Sequence, residues 1–85
     1  MENLYAVLLG GKIREDNLME DHQLVFVVAS NEKEARQLAK QKWPQADSIH
    51  VDGTQLIKQV DGFEIKLEKT NNSDDISQTD NLYTP

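Results

Sequence analysis

Two runs near the start of the chain, Leu4, Tyr5, Ala6, Val7, Leu8, Leu9 and Leu24, Val25, Phe26, Val27, Val28, Ala29, are apolar on both faces that a strand presents. Successive side chains of a strand point to opposite sides, so a strand covered on one side only alternates apolar and polar residues. Neither run alternates. The rest of the chain supplies a single well-signalled helix, which can cover one face of a sheet. The second face therefore needs another cover, because two such strands left bare exceed the apolar patch that soluble monomers usually carry. The expected cover is a second copy, giving a homodimer paired through the sheet face opposite the helix. The competing solution is a monomer whose later strands curl round to shield both sides.

Eighty-five residues make one small domain. Residues 1–68 are read as that domain, with a net charge of −4, and residues 69–85 add −2. The final segment offers only Ile76, Leu82 and Tyr83 as sizeable apolar groups. Burying so little cannot offset the entropy of ordering it, so a disordered acidic tail is expected there. A negative body with a negative tail is repelled by phosphate backbones and anionic bilayers, which argues against nucleic-acid and membrane partners. There are no cysteines, hence neither disulfides nor thiolate metal sites. Met1, Glu2 and Asn3 form no basic leader, and the six-residue apolar run after them is too short for a signal peptide or a membrane span. A cytoplasmic protein is the expectation.

The order of elements reads ββαβββ, an α+β fold with one helix packed on a mainly antiparallel sheet. Residues 4–9 form a first strand, and residues 23–29 return antiparallel to it, since no crossover helix lies between them. Ser30 and Asn31 open the helix, with Glu34 at capping-box spacing from Asn31. Glu32 and Glu34 in the first turn and Lys40 and Lys42 in the last suit the helix dipole. Ala35, Leu38, Ala39 and either the aliphatic stem of Lys42 or Trp43 make its narrow buried stripe, and Trp43–Pro44 ends it. Residues 48–51 follow as a third strand, with Ile49 and Val51 on one face and His50 on the other. Asp52–Gly53 and Asp61–Gly62 signal turns, which leaves residues 54–60 and 63–68 as the fourth and fifth strands. The fifth alternates, with Phe63, Ile65 and Leu67 expected inward.

Several phrases occur in a set order: Leu9, Gly10, Gly11, Lys12; Glu20, Asp21, His22 ahead of Val25; Lys42, Trp43; His50, Val51, Asp52; and Val60, Asp61, Gly62, Phe63. Together they resemble a bacterial family of unknown function, the domain of unknown function 1543. The resemblance spans residues 4–67. It implies no established activity, and it implies that some relatives carry two copies of the domain in one chain.

The candidate sites follow from residue chemistry. His22 has Glu20 and Asp21 beside it, and Asp52 follows His50 by two positions, so His50 and Asp52 share a strand face. Two imidazoles and one or two carboxylates suit a divalent ion or acid–base work; ordinary polar residues at strand ends are the plainer account. Gly10, Gly11 and Lys12 are candidate ligand-binding residues through a backbone anion nest. Neither a P-loop nor a dinucleotide fingerprint is present, and no cofactor is expected. The plainer account of the two glycines is a positive φ in the bend leaving the first strand. Residues 12–21 mix charges with Ile13, Leu18 and Met19, either as a recognition loop or as a hairpin extension packed on the sheet rim. Two functions stay open. The first is a self-associating module that binds a protein or small ligand through residues 10–22. The second is a metal-dependent or acid–base enzyme using His22, His50 and Asp52.

Overall fold

The doubly apolar first run is the centre of a three-stranded sheet, with Tyr5, Val7 and Leu9 on one face and Leu4, Ala6 and Leu8 on the other. In the computed structural model, which describes residues 1–71, β1 (Asn3–Lys12) pairs antiparallel with β2 (Asp21–Ala29) on one side and with β3 (Asp47–Ile57) on the other. The helix α1 (Glu32–Gln41) lies across one face. Beneath it sit Tyr5, Val7 and Leu9 of β1 and Val25, Val27 and Ala29 of β2, with Val7 and Leu9 the largest side chains wholly removed from solvent. Ala35 and Ala39 face them at full burial, and their small size lets the helix approach the sheet closely. Trp43, 5% exposed, closes the end of this core.

Local signals fix the helix as expected. Asn31 is the N-cap: its Oδ1 accepts from the Glu34 N–H at 2.9 Å, while the Glu34 carboxylate reaches back to the Ser30 N–H at 3.4 Å. Glu32 pairs with Arg36 one turn on, at 3.6 Å. Thr54 Oγ1 donates to Glu32 at 2.9 Å, and Lys42 Nζ donates to the Phe26 carbonyl, so each end of the helix is tied to a different strand.

The later strands differ from the expectation. Asp52–Gly53 is not a turn. One strand, β3, runs through it, because β1 needs a partner along the whole of its second edge to satisfy its buried backbone groups. Leu9 is paired with Val51 and Leu8 with Gly53, so Asp52 is the extra residue of a β-bulge. A second irregularity falls between the partners of Gly10 and Lys12, where Ser48 takes a left-handed φ of 54°. Asp61–Gly62 is a turn: both residues have positive φ, 52° and 83°, as a two-residue hairpin turn of type I′ requires. It joins β4 (Gln59–Val60) and β5 (Phe63–Glu64), which pair with each other as a separate two-stranded sheet. Phe63, expected inward, is 74% exposed. Alternation gives a strand its two faces but does not name its neighbour, and here the tight turn makes the neighbour local.

Most of the segment read as a disordered tail, residues 72–85, lies outside the described residues. Among the described residues no helix is long and apolar enough to cross a membrane.

The face of the sheet away from α1 is laid out in rows by the pairing register. Val28, Leu4 and Ile57 form one row, and Phe26, Ala6 and Gln55 the next. Leu24, Leu8 and Gly53 form the third, and His22, Gly10 and His50 the fourth. Leu8, Leu24, Phe26 and Val28 are all exposed.

Candidate functional site

The fourth row is where chemistry collects. His22 on β2 and His50 on β3 stand directly across from Gly10 of β1, one on either side. Strands are about 4.8 Å apart, so two residues flanking a third across a sheet would normally be separated by its side chain. Gly10 has none, and the flanking groups lean into the gap. A Cβ placed on Gly10 would lie 2.7 Å from His50 Nε2, 2.9 Å from Asp52 Oδ2 and 3.1 Å from Glu20 Oε2. The first two are distances that real Cβ atoms essentially never show, and the third is tighter than most.

The bulge completes the group. Asp52, the extra residue of β3, brings its carboxylate between the two imidazoles. Its Oδ1 lies 2.9 Å from His50 Nε2, and its Oδ2 lies 3.2 Å from His22 Nε2. Glu20, at the end of the loop leading into β2, sets Oε2 3.4 Å from His50 Nε2. Glu20, His22 and Asp52 each offer a ligand atom within 4.8 Å of the others. The four side chains are between about a third and a half exposed, so the group is reachable from solvent.

The sequence-derived candidates thus separate. His22, His50 and Asp52 lie together, with Gly10 beneath them. Gly11 points to the other face, where a Cβ would lie 3.2 Å from the Asp47 carbonyl oxygen and 3.4 Å from the Trp43 ring. Lys12 ends the strand, exposed. Among the described residues the only glycine with positive φ is Gly62, so Gly10 and Gly11 do not bend the chain. They are strand residues whose missing side chains leave space, Gly10 for the polar group and Gly11 for the indole. Extended backbone points successive N–H groups to opposite sides, which is not the concave arrangement of an anion nest.

Glu20, which the sequence places beside His22 without marking it out from Asp21 as a site residue, joins the group. Asp21, equally close in sequence, does different work: its Oδ2 accepts from the Ile13 N–H at 3.0 Å and closes the loop. In that loop Ile13, Leu18 and Met19 are exposed rather than packed on the sheet rim.

Beside the polar group the third row dips. Gly53 and Ala6 lack bulk, and with Leu8, Leu24, Thr54 and Gln55 they line a shallow depression of about 230 Å³. The open face therefore carries an apolar field, a dimple within it, and two histidines with two carboxylates along one border.

Comparison with curated proteins and with solved structures returns no match. Residues 17–67 match the model of the family described as Domain of Unknown Function (DUF1543). That segment holds Glu20, His22, His50 and Asp52, whereas Gly10 lies ahead of it. Since it covers more than half of the sequence, the chain belongs to the DUF1543 family.

Proposed function

We propose that this domain is a binding module that pairs with a second copy of itself through the open sheet face. One observation carries the reading: three consecutive rows of that face are nearly all apolar, and they expose Leu8, Leu24, Phe26 and Val28. Three strands and three rows make a field of on the order of 300 Å² in projection. Patches of that size on soluble proteins are commonly interaction sites. A second copy suits this one for a reason of charge. The chain has a net charge of −6, and the apolar rows contain none of it, so two copies can meet there with their like charges kept at the rim. Flat sheet faces stack about 10 Å apart with interdigitated side chains, and Phe26 beside the dimple at Gly53 gives one face both a projection and a recess. A field this small sits below the usual size of a tight interface, so pairing at micromolar rather than nanomolar concentration is expected.

Sedimentation or light scattering across a dilution series tests the reading. At tens of micromolar the expected mass is twice the 9.7 kDa of one chain, falling toward one chain on dilution. A single-chain mass at every concentration contradicts it.

A second reading is favoured by the convergence over Gly10: metal-dependent or acid–base chemistry at His22, His50, Asp52 and Glu20. Imidazole and carboxylate are the usual proton-transfer pair near neutral pH, and the dimple beside them could seat an apolar part of a substrate. The metal-dependent form requires that the group take up a divalent cation, and titration with Zn²⁺ decides it.

A further inference from the structure

The geometry points to a divalent-cation site of two nitrogen and two oxygen ligands, His22 Nε2, His50 Nε2, one oxygen of Asp52 and one of Glu20. It rests on the second functional reading for its residues and is independent of pairing between copies. The distances make the first argument. Ligands about 2.0–2.1 Å from a tetrahedral ion stand about 3.3–3.4 Å from one another. Asp52 Oδ1 stands 2.9 Å from His50 Nε2, Asp52 Oδ2 3.2 Å from His22 Nε2, and Glu20 Oε2 3.4 Å from His50 Nε2. Glu20, His22 and Asp52 already converge within 4.8 Å, and a side-chain movement brings His50 in to complete the set.

Gly10 supplies the second argument. A glycine inside a central strand loses packing and costs conformational entropy relative to alanine. At this position its return is space: the three nearest atoms to its missing Cβ are His50 Nε2, Asp52 Oδ2 and Glu20 Oε2, all donors of the proposed set. The bulge at Asp52 is the third. Bulges re-aim single side chains, and this one turns a carboxylate in between two imidazoles that the register alone would leave facing each other across a gap.

The donor set selects the ion. Mg²⁺ and Ca²⁺ take six or more oxygen ligands, whereas two imidazoles with two carboxylates suit Zn²⁺, Co²⁺ or Ni²⁺. Partial exposure of all four side chains leaves room for water or a substrate atom on the ion.

Isothermal titration of the full chain with Zn²⁺ tests the site, with the visible absorption of Co²⁺ as a second readout of ligand geometry. The expected result is one ion per chain, with no uptake of Mg²⁺ under the same conditions. His22→Ala and His50→Ala each lose the binding, and Gly10→Ala weakens it about ten- to hundredfold by displacing the donors. All three variants keep the wild-type circular dichroism, since the imidazoles are half exposed and the Gly10 neighbours are the ends of flexible side chains. Phe26→Asp, which separates the copies, keeps the site. Absence of Zn²⁺ binding, unchanged affinity in any of the three site variants, or loss of binding in Phe26→Asp overturns the proposal.

Discussion

Replacing Phe26 with aspartate is expected to convert the proposed dimer to single chains and to leave the fold intact. Phe26 lies in the middle apolar row, opposite Ala6, and is 47% exposed on the open face. Fully burying a side chain of this size contributes about 1.5–3 kcal/mol, and the half of Phe26 still exposed contributes about half of that. A two-fold interface counts it twice, so the variant loses about 1.5–3 kcal/mol of association, roughly 10- to 10²-fold in the dissociation constant. A carboxylate forced into the interface adds to that. Within one chain the cost is small, because Phe26 contributes nothing to the core beneath α1. Equilibrium sedimentation reads the dissociation constant directly, and circular dichroism checks the fold. A dimer of wild-type strength in this variant means that the open face is not where the copies meet.

The largest effect on stability is expected from Trp43→Ala. Trp43 belongs to the buried cluster at 5% exposure, and its ring occupies the space that Gly11 leaves clear. Truncating a buried tryptophan removes about 3–5 kcal/mol, from a total of about 5–15 kcal/mol in a typical domain. For a domain of this size that corresponds to roughly 12–40 °C in Tm. Melting followed by circular dichroism at a fixed protein concentration measures it, with Phe63→Ala as a control at a position 74% exposed. A Trp43→Ala variant that melts within about 3 °C of the wild type would mean that the indole does not close the core.

These expectations show which parts of the molecule can be read from sequence. The first hairpin and the helix are legible because their signals are local: continuous apolar runs, the Asn31 cap with Glu34, and the Trp43–Pro44 stop. Strand period predicts that His50 and Asp52 share a face, but the bulge that sets the Asp52 carboxylate between the two imidazoles is not legible in it. Where pairing is non-local, legibility fails. Asp52–Gly53 has the composition of a turn and serves as a bulge, because the second edge of β1 requires a partner from Leu4 to Leu9. Residues 63–68 alternate as a half-buried strand does, yet their partners are local: Phe63 and Glu64 pair with Val60 and Gln59, and the Ile65 N–H donates to the Lys58 carbonyl at 2.9 Å. Gly10 is the clearest case. A glycine pair at a strand end reads as a bend, and nothing within the sequence says that two histidines flank it. Only the register of three strands places His22 and His50 on either side of it.

The central claim is that the second apolar face is covered by another copy of the same face. Isotope-filtered nuclear Overhauser spectroscopy on an equimolar mixture of labelled and unlabelled chain, at tens of micromolar or above, tests it most directly. The account predicts cross-peaks between copies that join the Phe26 ring to methyl groups of Leu8, Leu24 or Val28. Inter-copy cross-peaks confined to the α1 side of the sheet, or none at all, would contradict it.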